Sequence, residues 1–355
     1  MAKINLLLLF GGVSTEHEVS RVSAASVMSR LDRDKYNLLP VGILKSGQWF
    51  LHGDDDFDAI SDGRWEKSKG NLPAFLSPSR GDGLIVFGTE KVAKIPVDCV
   101  FPVLHGANGE DGTMQGLFEV AGIPYVGSGI GASANAMDKS VTKVLVEPYQ
   151  VEQADYMLVQ KQEFEREPQK IVEAAEAKFS YPVFVKPSSS GSSVGVSKAK
   201  DREGLHSALC DAFRYDGKAL IEEMIEGQEI EVAVLGNGEP IASVPGEIVP
   251  SREFYSYEAK YIDNSSGLFI PARIPEETSQ IVRQKALDVY RALSCRGLAR
   301  VDFFVRKSDG KAIFNEINTI PGFTSISMYP KLFEATGISY GELLDRLIGL
   351  AMENQ

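Results

Sequence analysis

The chain has 355 residues and a formal net charge of -12, with 37 Lys and Arg against 49 Asp and Glu. That balance excludes a nucleic acid as partner, because neutralising a phosphate backbone requires a basic face, whereas a nucleotide needs only a few local lysines. The length exceeds one ordinary hydrophobic core, so two or three domains with clefts between them are expected.

Cys99, Cys210 and Cys295 lie far apart without CxxC spacing, which argues against a disulfide framework or zinc site and points to a reducing, cytoplasmic compartment. No stretch approaches the roughly 20 apolar residues of a membrane span. The apolar run at 4–10 is short and leads into Gly11-Gly12 with no small-residue cleavage site, so it reads as a buried strand and not as a signal peptide. A soluble protein with no membrane partner is expected.

Residues 4–10 lack alternation, as a parallel strand covered on both faces should. Ala24, Val27, Met28 and Leu31 follow at helical spacing, and 36–44 and 97–104 read as further strands. Strand, helix and strand imply an open α/β sheet whose ligand-holding loops are 11–14 and 105–112. Residues 52–83, rich in Asp, Gly, Ser and Pro, read as a surface excursion without catalytic interest.

From Met137 the pattern changes to a short helix at 141–146, a strand at 181–186 and a mobile Ser/Gly loop at 187–195. A helical stripe of Leu205, Ala208, Leu209 and Ala212 and a strand at 219–223 complete a small α+β module. Strands at 229–235 and 241–248 follow, then an aromatic-rich excursion at 251–262 that could fold over a neighbouring site. Val282, Ala286, Val289 and Leu293 mark a long helix, and strands at 298–305 and 312–318 flank Ser308-Asp309-Gly310. The expected domains are 1–137, 138–224 and 225–355.

Side chains two apart on a strand share a face, so Arg300 goes with Asp302 and Glu316 with Asn318. A two-residue Asp309-Gly310 turn would put Asp302 opposite Ile317. A three-residue loop, with Gly310 as the left-handed residue of a bulge, puts Asp302 opposite Glu316 and Arg300 opposite Asn318. The second register is the expectation, because it gathers oxygen ligands suited to the hard ion Mg²⁺. The plainer reading is an edge hairpin whose charges face water.

Lys186 ends a strand and opens the Ser/Gly loop, where backbone N–H groups can wrap phosphate oxygens, although no GxxxxGK[ST] is present. Lys139 and Lys260 are further candidates. Glu222 and Glu229 bracket Met224, Ile225 and Gly227, an apolar connector against which an adenine could lie while a carboxylate accepts from ribose hydroxyls.

Taken in order, several segments carry a family likeness: residues 11–20 (GGVSTEHEVS), Leu104-His105-Gly106 with Gly109-Glu110-Asp111-Gly112, Met137-Asp138-Lys139, and Val185-Lys186-Pro187 through Ser192-Ser193-Val194-Gly195. Glu258-Ala259-Lys260-Tyr261, Arg300-Val301-Asp302, Asn315-Glu316-Ile317-Asn318-Thr319 and Pro321-Gly322 continue it. In this order they resemble the D-alanine:D-alanine ligase family of the ATP-grasp superfamily. The resemblance implies an α/β and α+β ATP-grasp architecture: an N-terminal open α/β sheet, a small central α+β module and a C-terminal mixed-sheet domain. It also implies ATP-dependent joining of two D-alanines through a D-alanyl phosphate, for peptidoglycan precursor synthesis, by a homodimer.

By position, the resemblance assigns Glu16 to the first D-alanine's ammonium and links Glu16, Ser192 and Tyr261 in a closure across the site. His105 stands beside the first D-alanine, and Ser327 with Met328 holds the second one's carboxylate. Lys139, Lys186, Lys260 and Ser192 meet phosphates, and Glu222, Met224, Ile225 and Glu229 form the nucleotide slot. Asp302, Glu316 and Asn318 hold two Mg²⁺ ions, or Mn²⁺ in their place, while Arg300 and the Gly322 N–H stabilise the oxyanion. Met328 stands where leucine is common, and residues 147–150 depart from the family pattern. The neighbouring reading is a ligase forming D-alanyl-D-lactate or D-alanyl-D-serine; Tyr261 counts against lactate. A dinucleotide oxidoreductase would require GxGxxG, which residues 11–16 lack.

Overall fold

A computed structural model describes residues 2–54, 56–191, 193–249 and 267–353. Ser192, Lys260 and Tyr261, and with them the closure expected at 251–262, lie outside the described residues.

The leucine run forms β1 (Ile4–Gly11), followed by α1 (His17–Arg30) and β2 (Tyr36–Ile43). Next come β3 (Trp49–Leu51), α2 (Phe57–Asp62), β4 (Leu72–Leu76), β5 (Leu84–Phe87), β6 (Val92–Ile95) and β7 (Cys99–Pro102). They make a seven-stranded sheet in the order β6-β5-β4-β3-β2-β1-β7, with β1 parallel to both neighbours as its unbroken apolar run requires. Helices α3 (Thr113–Ala121) and α4 (Ile130–Met137) follow.

The stretch at 52–83 is more than the expected surface excursion. Besides α2 and β4 it carries Trp65, which is fully buried, packs edge-on to Phe10 with ring centroids 4.9 Å apart, and occupies the space a Cβ on Gly42 would need. A lone tryptophan in a polar stretch produces no periodic signal, yet it carries a large apolar surface into the core.

Helix α5 (Lys139–Val146) leads to β8 (Tyr156–Gln160), α6 (Lys161–Arg166), α7 (Pro168–Lys178), β9 (Val183–Pro187), β10 (Ser197–Ala199), α8 (Arg202–Ala212) and β11 (Lys218–Glu223). Here the sheet is antiparallel, in the order β10-β9-β11-β8, with Val159, Val185, Leu205, Leu209 and Ile221 in its core.

A third sheet is built on β12 (Gly227–Leu235), with β13 (Ile241–Ala242), β14 (Gly246–Val249), β15 (Gly267–Phe269), β16 (Leu298–Arg306) and β17 (Ala312–Asn318), in the order β15-β14-β12-β16-β17 with β13 beside β12. The strand expected at 241–248 is thus two short strands, divided where Pro245 cannot donate to a ladder. Ile230, Val232 and Val234 face α9 (Glu276–Ala292) through Val282, Ala286 and Val289. Finally, α10 (Met328–Ala335) and α11 (Tyr340–Met352) return to the first sheet, placing Tyr329, Leu332, Phe333, Leu344 and Leu347 in one core with Leu6, Leu8 and Phe10.

Candidate active site

Opposite the α9 face, the third sheet is acidic. Residues paired across strands share a face, so Glu231 on β12 stands beside Asp302 on β16, which stands beside Glu316 on β17, with Arg300 beside Asn318. The expected pairing is present, but its cause differs. Arg306 N donates to Lys311 O (2.9 Å) and Gly310 N to Arg306 O (2.8 Å), leaving a four-residue loop at 307–310 in place of the expected three. From that loop the ladder pairs Phe303 with Phe314, and a bulge at Asn315 then shifts it by one residue to put Asp302 opposite Glu316. Gly310 is left-handed, at φ 71°, but belongs to the loop and not to the bulge.

Arg300 donates to both oxygens of Asp302, Nε to Oδ1 at 2.8 Å and Nη2 to Oδ2 at 2.7 Å, and its Nε lies 3.1 Å from Glu231 Oε2. Asn318 Nδ2 donates to Asp302 Oδ2 at 3.2 Å. Among the described residues no three His, Cys, Asp or Glu side chains converge as a ready metal cage.

Two lysines approach from the central module. Asp138 caps α5, accepting from Ser140 N (3.1 Å), Ser140 Oγ (2.6 Å) and Ser188 Oγ (2.6 Å), and it also pairs with Lys218. Burial would raise its carboxyl, but Lys218 and the two hydroxyls outweigh that and hold it at about 2. The cap aims the first turn of α5, so that Lys139 Nζ donates to Ser190 O (2.6 Å) and lies 3.9 Å from Glu316 Oε2. Lys186, at the end of β9, donates to Asn315 Oδ1 at 3.1 Å and pairs with Glu222 Oε2 at 2.7 Å. Glu222 Oε1 is 3.0 Å from Lys143 Nζ. Burial opposes ionisation of Glu222, but Lys186 and Lys143 override it and hold the carboxyl at about 2.

The third wall comes from the first sheet's loops. Glu16, only 6% exposed, presents Oε2 so closely to Gly106 that a Cβ there would sit 2.6 Å away. A Cβ on Gly191, in the Ser/Gly loop, would lie 3.2 Å from the same oxygen, so loop and N-terminal domain meet at Glu16. His105 is buried, with Nδ1 donating to Ile320 O (3.0 Å) and Nε2 3.4 Å from Ser23 Oγ; burial pushes its pKa down, which keeps it neutral. Glu110 accepts from Gly106 N (2.7 Å) and Ile320 N (3.2 Å), while desolvation and then the charge of Glu16 push its carboxyl up to about 8.

Ser327 precedes α10, and its Oγ accepts from Thr324 N at 3.0 Å. A Cβ on Gly322 would stand 2.8 Å from that oxygen, so the close approach requires glycine. Met328 is buried with its Cε against Gly246.

These walls enclose two adjoining cavities. One of about 200 Å³ is lined by Glu16, His105, Glu110, Arg300, Gly322, Ser327 and Met328. The other, of about 560 Å³, is lined by Lys186, Glu222, Met224, Ile225, Glu229 and Asp302. Lys139, Glu231, Asn315 and Glu316 line both. Every expected site residue within the described portion therefore borders one cavity. Sequence reasoning gave no role to Glu110, Lys143, Glu231 or Asn315. Two signals were available, since Glu231 is two residues from Glu229 on an apolar strand and Lys143 is one helical turn beyond Lys139.

Three sheets meeting over lysines that face an acidic hairpin define a ligase of the ATP-grasp class. Models described as the D-ala D-ala ligase N-terminus and C-terminus match residues 5–128 and 145–349. The chain belongs to the D-alanine–D-alanine ligase family. It is 53% identical over 354 residues to the D-alanine–D-alanine ligase of Caldicellulosiruptor bescii, covering 99% of this chain and 96% of that protein. To the enzyme of the same name from Acetivibrio thermocellus it is 52% identical over 363 residues, covering 99% and 96%. Among solved structures, the VanG D-Ala:D-Ser ligase from Enterococcus faecalis superposes with a TM-score of 0.89 at 39% identity, covering 99% of this chain and 100% of that one. The D-alanine–D-alanine ligase from Coxiella burnetii gives 0.85 at 34%, covering 99% and 96%.

Proposed function

We propose that the chain joins two D-alanine molecules into D-alanyl-D-alanine at the expense of ATP, supplying a peptidoglycan precursor. The observation that carries this reading is the single face on which Arg300, Asp302, Glu316 and Asn318 stand between two cavities, one sized for an amino-acid pair and one for a nucleotide. A carboxylate oxygen of the first D-alanine attacks the γ-phosphorus of ATP as the bond to the β-phosphate oxygen breaks, giving D-alanyl phosphate and ADP. The amine of the second then attacks the acyl carbon, loses a proton, and expels phosphate. Neither step needs a nucleophile from the protein, so positioning and charge stabilisation carry the catalysis.

Glu16 takes the first D-alanine's ammonium beside neutral His105. Lys139 and Lys186, with Lys260, hold phosphates, Ser192 covers them from the loop, and Tyr261 completes the closure with Glu16. Met224, Ile225, Glu222 and Glu229 form the nucleotide slot. Ser327 and Met328 hold the second D-alanine, while Arg300 and the Gly322 N–H face the oxyanion. Two carboxylates and an amide suit Mg²⁺, which is commonly held by one or two carboxylates with substrate phosphates completing its shell. Asp302, Glu316 and Asn318 would hold two such ions, or Mn²⁺, whose chemistry when bound is charge neutralisation on the transferring phosphoryl group. The domains are 1–137, 138–224 and 225–355, and the working form is a cytoplasmic homodimer, as the family resemblance implies.

The likeness to a D-Ala:D-Ser ligase makes D-serine the alternative second substrate. Incubation with ATP and Mg²⁺ and D-alanine alone, or with added D-serine, D-lactate or L-alanine, followed by ADP assay and mass analysis of the dipeptide, decides between them. D-alanyl-D-alanine should predominate. Absence of D-alanine-dependent ADP would sink the reading, and a dominant mixed product would replace it.

A further inference from the structure

Glu222 is one buried carboxylate serving two lysines, and the two lysines differ in where they can go. Lys186 and Glu222 line the larger cavity, and the partners of Lys186 among the described residues, Glu222 and Asn315, are themselves lining residues. Among the described residues Lys143 lines neither cavity. It is 3% exposed, with Nζ 3.0 Å from Glu222 Oε1, 3.4 Å from Ala154 O and 4.9 Å from the centroid of the Tyr156 ring. It therefore cannot reach a phosphate, whereas Lys186 can, by leaving Glu222.

A buried carboxylate abandoned by its cation either costs the fold dearly or takes up a proton. We infer that Lys143 is a positioning residue for nucleotide binding: it keeps Glu222 ionised and in place while Lys186 exchanges that carboxylate for a phosphate. The inference rests on the nucleotide reading of the larger cavity and extends it to a residue that touches no substrate. Lys143 of α5 and Lys186 of β9 are the charges that face Glu222 directly. Tyr156 of β8, Glu223 of β11, Glu229 of β12 and Glu316 of β17 surround those groups and act mainly through them.

The test is calorimetric titration of the full chain with MgADP and with a non-hydrolysable ATP analogue, in two buffers of different ionisation enthalpy. Lys143→Met should weaken nucleotide binding by about tenfold or more, because Glu222 is left without a lysine in the complex. It should also add an uptake approaching one proton per nucleotide. Lys143→Arg should recover most of the affinity without the proton, and the KM for D-alanine at saturating ATP should hardly move. In a Glu222→Gln background, where no charge needs a partner, Lys143→Met should lose most of its effect. Wild-type affinity and proton count in Lys143→Met would overturn the inference, as would an equal loss in the Glu222→Gln background. If Lys143→Met does not fold, that double variant and Lys143→Arg decide by the same criteria. Failure of the wild-type protein to bind either nucleotide would instead overturn the nucleotide reading itself.

Discussion

Glu222 in the central module and Glu110 in the first sheet's ligand loop are the same residue type at opposite ends of one site, the first buried and the second half-buried, and their carboxyls are shifted in opposite directions. Glu222 lies between Lys143 and Lys186 and is held at about 2. Among the described residues Glu110 receives hydrogen bonds from two backbone N–H groups, and it stands near Glu16 and is pushed up to about 8. Burial penalises both anions, so the difference comes from the neighbours: a lysine contact offsets desolvation, whereas two amide dipoles facing a like charge do not. At the nucleotide end Glu222 is thus fixed by ion pairs, whereas at the amino-acid end Glu110 is held by backbone N–H groups near Glu16.

The widest contrast should appear on removing each carboxylate. Glu222→Leu strands buried Lys143 and half-buried Lys186 and should cost about 3–5 kcal/mol in denaturant unfolding. Glu110→Gln keeps one of the two backbone hydrogen bonds and turns its NH2 towards the other N–H, because they reach different carboxyl oxygens, and should cost about 1–2 kcal/mol. Equal costs would break the comparison.

A pH-dependent effect lies on the acid side. Because the folded pKa of Glu222 is depressed from 4.5 to about 2, its contribution is complete above 4.5 and lost as pH falls through about 2. Thermal melts should show wild-type stability falling across that window and Glu222→Gln, starting lower, falling less.

On the alkaline side the effect has the opposite sign. Glu110 has a raised folded pKa, so its stabilisation is full below 4.5 and declines as pH rises to about 8. Glu110→Gln, which lacks one of the two hydrogen bonds, should melt below the wild type at the acid end of that window and lose less towards its alkaline end, with roughly 2–4 °C per kcal/mol as the scale. A wild-type melting point that rises across the same window would show that Glu110 is an ordinary ionised carboxylate.

How much of this was legible varied by region. Alternation along β16 and β17 reported which side chains share a face, and the pairing of Asp302 with Glu316 followed from it. The route to that pairing was misread twice, by one residue each time: the loop is longer by one, and the bulge lies at Asn315 instead of Gly310. The two errors cancel, because a bulge needs no glycine or proline to announce it and strand parity is blind to a compensating shift. Trp65 was hidden in a polar stretch, and no helix was expected where α10 and α11 form, although their apolar residues close the first sheet.

By itself, the sequence determined the succession of strands and helices, the faces on which charges stand, and the inventory of lysines, carboxylates and glycines from which a ligase site is assembled. Those follow from local periodicity and residue chemistry. Only the tertiary structure decided which lysine neutralises which carboxylate, that the Glu110 carboxyl is pushed up while that of Glu222 is pushed down, and that Arg300 rests on Asp302 beside Glu231. Charge interactions in a low-dielectric interior depend on separations of a few ångströms between residues remote in sequence, and such separations exist only once the chain has packed.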